Sequence, residues 1–259
     1  FDWVGLANFG NVLNGRMAGT FFPVLSWTLI WAVFATVTNF LFGVILALII
    51  NAKGLKLKKM WRTIFVITIA VPQFISLLLM RNFLNDQGPL NAFLEKIGLI
   101  SHSLPFLSDP TWAKFSIIFV NMWVGIPFTM LVATGIIMNL PSEQIEAAEI
   151  DGASKFQIFK SINCPQILLI MIPSLIQQFI GNINNFNVIY LLTGGGPTNS
   201  QFYQAGSTDL LVTWLYKLTM NAADYNLASV IGIFIFAISA IFSLLAYTHT
   251  ASYKEGAVK

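Results

Sequence analysis

Six carboxamide side chains, Gln177, Gln178, Asn182, Asn184, Asn185 and Asn187, fall within eleven residues of an otherwise apolar stretch. A carboxamide neither titrates nor attacks; it donates and accepts hydrogen bonds, which suits it to a neutral, hydroxyl-rich solute. Gln178, Asn182 and Asn185 are spaced i, i+4, i+7 and are predicted to share one helix face. A second apolar stretch carries Asn121 followed by Trp123, Gly125, Pro127 and Phe128. Its rings could pack on sugar faces, and Gly125 would let backbone approach a ligand closely. Two readings stand at this point. The amides are hydrogen-bond glue between helices, each contact worth about 0.6–2 kcal/mol, or they line a binding site. An unpaired amide in hydrocarbon is costly, so in both readings this face must meet protein, water or ligand.

The elements that must position these amides follow from composition. Charged residues make up 10% of the 259 residues, against about 25% in an ordinary soluble domain. Hydrophobic residues make up 56%, including 23 Phe and 7 Trp, and the mean hydropathy is +0.73. So few charges cannot cover a water-soluble surface, and so much apolar residue excludes an intrinsically disordered chain. The single cysteine, Cys164, excludes a disulfide framework and a cysteine-based metal site. Five stretches, 24–50, 60–83, 112–138, 167–192 and 226–249, are long and apolar enough to cross a bilayer. No β-barrel alternation is present, so the fold class is an all-α polytopic membrane protein. Pro72, Pro127 and Pro173 lie within the second, third and fourth stretches and are predicted to kink them. Such kinks accompany cavities as readily as simple packing.

Lys and Arg alternate between the links. Nine fall on one side, in Lys53–Arg62, at Lys155 and Lys160, and at Lys254 and Lys259; the other five are Arg16, Arg81, Lys96, Lys114 and Lys217. They flank apolar runs rather than forming a basic stripe, so the net charge of +3 speaks for membrane orientation and not for nucleic acid. The positive-inside rule places the 51–62 and 139–165 links and the C-terminus in the cytoplasm. Residues 1–23 are then outside. A chain that opens on Phe1, without a signal peptide, is expected to be N-terminally truncated, with at least one upstream span missing. No Asp, Glu, Lys, Arg or His lies in the central part of any stretch, whereas proton-coupled carriers must bind and release the driving ion there. Arg81, Lys114 and His249 stand at the ends, within reach of the headgroups. Sodium sites can use backbone oxygens, so an ion-driven carrier is disfavoured rather than excluded. A non-transporting scaffold, with the amides as glue, is the other alternative.

The link 139–165 contains SEQIEAAEIDGASKFQIFKSINCP. Ser142 can cap a helix whose first turns carry Glu143, Glu146 and Glu149, at the favourable end of its dipole. Gly152 suits a sharp turn, and a second short helix from Ala153 offers Phe156 and Phe159 on one face. An interfacial helix lying on lipid would prefer Lys and Arg on its polar face; this one is acidic in its first half. The link therefore reads as a helix–turn–helix that docks on a cytoplasmic partner.

Glu146, Ala147, Ala148, Gly152, Ile162, Cys164 and Pro165 stand at the spacing of the EAA loop of ABC importer permeases, with Cys164 where the family pattern has Leu. The chain also resembles, over nearly its whole length, the maltose/maltodextrin type of these binding-protein-dependent permeases. The matching pieces are VGLANF (4–9), AVPQFIS (70–76), FLSDPTWAK (106–114), VNMWVGIPF (120–128), NINNF (182–186), LLTGGGP (191–197) and AGSTDLLV (205–212). Importers of raffinose-like or multiple sugars are close neighbours of this type.

The resemblance implies a type I ABC importer transmembrane domain over 1–259, in the bacterial cell membrane and not itself an enzyme. It implies a second homologous permease chain, two ATP-binding subunits and an extracytoplasmic sugar-binding protein as partners. ATP would be used by those partners, and no cofactor is implied on this chain, which lacks a Gly-rich phosphate loop. Carried over by position, the family's sugar contacts fall on Asn121, Trp123, Val124, Gly125, Phe128, Gln178, Gly181, Asn182 and Asn185. Gly181 stands where the family has an aromatic ring and Phe128 where it has a tyrosine. A missing stacking ring, worth about 0.5–1.5 kcal/mol, implies a longer or differently placed oligosaccharide.

Overall fold

A computed structural model of the chain describes residues 4–52 and 54–248, with Ser142 described by its backbone alone. Lys53, His249, Lys254 and Lys259, and with them the C-terminus, lie outside the described residues. The described residues form helices α1 (Ala7–Asn14), α2 (Ala18–Asn51), α3 (Lys58–Ala70), α4 (Gln73–Phe83), α5 (Pro89–Lys96) and α6 (Pro110–Met138). After them come α7 (Ser142–Ile150), α8 (Lys155–Ile158), a π-helical turn (Phe159–Asn163), α9 (Cys164–Ile183), α10 (Phe186–Thr193), α11 (Leu211–Met220) and α12 (Tyr225–Thr248). No extended strand occurs among the described residues; a single bridge joins Thr198 and Gly206.

Four helical runs are long and apolar enough to span a membrane: α2, α6, α12 and the run Lys155–Ile183. The stretch read as a second span is two helices. Pro72 lacks an amide hydrogen and pushes the preceding residue out of helical geometry; Val71 is extended (φ −73°, ψ 126°) and Pro72 caps α4. Counting that broken pair as one span gives five. Pro127 and Pro173, by contrast, sit inside helices that continue through them. The fourth stretch ends at Ile183 rather than 192. Asn185 caps α10 by accepting a hydrogen bond from Val188 N at 3.2 Å, the position asparagine favours.

The chain divides into two compact units, and the long helices contribute to both. One unit comprises, among the described residues, 4–35, 72–121 and 179–245. Its core joins Phe21 and Val24 of α2, Leu211, Trp214 and Leu218 of α11, and Leu227 and Ile231 of α12. The segment 194–210, long enough to suggest a free loop, is folded onto this core. Trp27 Nε1 donates to Thr208 O (3.2 Å), Leu211 N donates to Thr28 Oγ1 (3.0 Å), and Tyr203 N donates to Thr20 Oγ1 (2.9 Å). Gly195 turns with φ +78°, and a Cβ there would collide with the Asp209 carboxylate. Asp209 in turn accepts from Gly206 N (2.7 Å) and from Lys217 Nζ (2.6 Å).

The other unit comprises, among the described residues, 36–71, 122–178 and 246–248. Val44, Ala47 and Ile50 of α2 pack with Met130 and Ala133 of α6 and with Ile167 and Met171 of α9. Two glycines bring α2 and α6 together: Gly43 lies against Thr129, with 2.6 Å between its ideal Cβ position and Thr129 Cβ, and Gly125 lies against Asn39. Small residues permit this backbone approach where no solvent drives association. Lys58 Nζ donates to Asn51 O (3.2 Å) and Arg62 donates to Asn51 Oδ1. Two of the basic residues read as orientation signals thus also close the C-terminus of α2, where cations are favoured.

Asp209 is fully buried and Lys217 is 16% exposed. Burial raises the Asp209 pKa above the usual carboxylate range, and the Lys217 cation opposes that rise. A group whose folded pKa is raised binds its proton more tightly when folded, so acidification favours the fold at this position. Lys217→Met removes the cation and strands the buried carboxylate. It is expected to cost about 3 kcal/mol near pH 8 and less at a lower pH, because acid neutralises the stranded carboxylate. Thermal unfolding of the purified protein at both pH values checks this; a loss independent of pH would contradict it.

Candidate functional site

The first unit holds three of the amides in one hydrogen-bonded group. Asn185 Nδ2 donates to Asn182 Oδ1 (3.3 Å) and to Asn121 Oδ1 (3.5 Å). Asn121 and Asn182 are buried, at 5% and 7% exposure, and Asn121 Nδ2 is buried with no partner. Asn182 O lies in the last turn of α9, where carbonyls lose their intrahelical partners, and the fully buried Trp31 supplies one through Nε1 at 3.0 Å. Gln177, Asn184 and Asn187 are exposed. Of the three residues expected to share a face, Asn182 and Asn185 are brought together, with Asn185 joining from the cap of α10 rather than from a continued helix, and Gln178 is not in this group. Gly181 is exposed, and nothing lies within 4 Å of where its Cβ would be, so the place of the family's ring is open space.

The second unit holds Trp123, Val124, Gly125, Phe128 and Gln178. Thr129 Oγ1 is 3.5 Å from both Gly125 O and Gln178 Oε1, and Gln178 Nε2 is buried without a partner. At 100° per residue, Asn121, Val124, Gly125 and Phe128 fall within one arc of α6, whereas Trp123 points to the opposite side. Trp123, 46% exposed, is thereby separated from the residues it was grouped with. Spacing along the chain suggested proximity; the helical rotation removes it.

Asn39 escaped the sequence reading. It is 6% exposed, its Oδ1 is buried without a partner, and its side chain lies on Gly125, with 2.7 Å between Cγ and the ideal Cβ position. The signal was present, since Asn39 is an isolated amide deep in the apolar stretch 24–50. Trp31 carried no signal, because a tryptophan in such a stretch is ordinary.

In the 139–165 link, Pro141 rather than Ser142 occupies the N-cap of α7. The helix ends in a Schellman motif: Ala153 N donates to Ala148 O (2.9 Å), Gly152 N donates to Glu149 O (3.2 Å), and Gly152 has φ +79°. Ser154 and Gln157 form a capping box that starts α8. Gln166 Nε2 donates to Gln144 Oε1 (2.9 Å), tying α9 to α7. Glu146 and Ala147 are exposed, and so are the apolar Ile150 (86%) and Phe156 (71%), while Ile158 is buried. The expected pairing of Phe156 with Phe159 is replaced by an exposed Phe156 and a half-buried Phe159. Ile162 falls in the π-helical turn, and Pro165 is in the first turn of α9.

Residues 39–252 match the family described as binding-protein-dependent transport system inner membrane component. The chain belongs to this family. It is 39% identical over 261 residues to the galactooligosaccharides transport system permease protein GanP of Bacillus subtilis, covering 99% of this chain and 61% of that protein. It is 38% identical over 257 residues to the maltodextrin transport system permease protein MalC of Streptococcus pneumoniae, covering 95% and 58%. The chain thus spans about three fifths of the length of these relatives. Its fold is that of a bacterial ABC transporter involved in alginate import, with a TM-score of 0.77 at 24% identity, covering 95% of this chain and 82% of that one. Family and structure together make it a multi-pass membrane protein of all-α importer architecture.

Proposed function

We propose that the chain forms part of the translocation path of an ATP-driven importer for neutral oligosaccharides of the maltodextrin type. The observation that carries this is the Asn121–Asn182–Asn185 group, an uncharged hydrogen-bonding cluster built from α6, the end of α9 and the cap of α10. Amides of this kind match sugar hydroxyls and offer nothing to a driving ion. Val124, Gly125, Phe128 and Gln178 are the further contacts in this reading, and Trp123 is not among them. The relatives named for galactooligosaccharides and for maltodextrins support a neutral oligosaccharide and leave α-glucosides and galactosides as the two classes to test.

The exposed Glu146, Ala147, Ile150 and Phe156 form the docking knob for an ATP-binding subunit. In this account two such subunits hydrolyse ATP, a second permease chain completes the path, and a sugar-binding protein delivers substrate from outside. The coupling link and the C-terminus are cytoplasmic. ATP-driven closure of the partners moves the link, and the path alternates between two accessible states.

Two outcomes are expected of the complete transporter reconstituted in vesicles. Gly152→Pro cannot adopt φ +79°, because proline fixes φ near −65°. The variant should insert normally yet lose most ATP-dependent uptake of labelled maltotriose while hydrolysis persists; normal uptake would overturn the docking role. The open space at Gly181 should make tri- and tetrasaccharides at least as good substrates as the disaccharide. A strong preference for the disaccharide in a panel of labelled maltodextrins and galactooligosaccharides would contradict that.

A further inference from the structure

Two buried hydrogen-bonding atoms of opposite sense lie against successive turns of α6. Asn39 Oδ1 is an acceptor without a donor, and Gln178 Nε2 is a donor without an acceptor. Asn39 packs on Gly125, and Gln178 Oε1 lies 3.5 Å from Thr129 Oγ1, one helical turn along. Only glycine at 125 allows this placement, since a Cβ there would occupy the volume of the Asn39 carboxamide. Buried polar atoms are nearly always paired, and orphans mark a missing partner. That partner must accept and donate at once and must be neutral, because no ionisable residue stands in the centre of these helices to balance a charge.

We infer that Asn39 is a specificity-determining residue of the transport path, acting with Gln178 on one sugar hydroxyl. The hydroxyl hydrogen is donated to Asn39 Oδ1, and its oxygen accepts from Gln178 Nε2. This rests on the oligosaccharide reading above and adds to it a helix, α2, that the spacing of the amides did not implicate. The task of Gly125 is then to admit the Asn39 carboxamide to this turn.

The test uses the complete reconstituted transporter with labelled maltotriose, or galactotriose if the wild type imports that instead, and a set of monodeoxy analogues of the same sugar. Asn39→Leu, of similar size, should slow uptake about ten-fold, the loss of one well-made hydrogen bond. The loaded binding protein should still stimulate ATP hydrolysis. One monodeoxy analogue should already be slow with the wild type and no slower with Asn39→Leu, because both changes remove the same bond. A loss of equal size for every analogue means that Asn39 holds helices or a water and overturns the assignment, as does unchanged uptake. If Asn39→Leu does not assemble, Gln178→Met removes the donor at equal length and is judged by the same comparison. A wild type that imports no neutral oligosaccharide overturns the sugar reading itself, whatever the variants do.

Discussion

The cost of leaving a carboxamide unpaired in an apolar layer governs this structure. No water is present in hydrocarbon to satisfy a stray donor or acceptor, so each amide placed there must be supplied with a partner by the fold or by a ligand. The chain meets this in two ways. Asn51 closes a helix end together with Lys58, Arg62 and Thr134, a purely structural use. Asn121, Asn182 and Asn185 bond one another and still leave Asn121 Nδ2 unsatisfied. Asn39 and Gln178 carry unsatisfied atoms too. Arg62 Nε and Asp209 Oδ1 are unsatisfied as well, so an orphan atom alone does not mark a site; what sets the second group apart is that its orphans are neutral amides clustered within the spans.

The helical architecture was legible because it rests on length and apolarity, which a sequence displays directly. Pro72 was legible as an interruption, but its neighbours Pro127 and Pro173 looked equivalent and are not. Whether a proline breaks a helix depends on what its neighbours offer the freed carbonyl, a tertiary property. The shared face of Gln178, Asn182 and Asn185 was inferred from an unbroken helix, yet the run NINNF contains the residues that end one. Asn185 reached the same group as a cap. Trp123, carried over by its position in the family pattern, stands about 200° around α6 from Asn121, a rotation that a list of positions does not display. Asn39 belongs to no cluster, yet an isolated amide deep in a span is itself an anomaly that calls for a partner.

The 139–165 link is a short segment both fixed in shape and apolar at its surface. Its turn is fixed by the positive φ of Gly152 and by two backbone bonds of the helix end; its second helix is fixed by the Ser154–Gln157 box. Rigidity matters because a link that bends cannot transmit a displacement. The apolar side chains it leaves exposed, Ile150 and Phe156, are then available to a partner without reorganisation. The acidic first turn restricts which partner surface is acceptable. The link is thus charged and preorganised, while the amide group is neutral and under-satisfied.

The most direct test of the central claim replaces a buried member of the amide group. Asn182→Leu keeps size and removes both hydrogen-bonding atoms of the side chain, while the main-chain bond to Trp31 is retained. Membrane insertion and binding-protein-stimulated ATP hydrolysis are measured alongside uptake of labelled oligosaccharide. Uptake reduced at least ten-fold, with the assembled and hydrolysing complex intact, is the expected result. Undiminished uptake by that variant would mean that the asparagines only hold the helices together, and the sugar path would have to lie elsewhere.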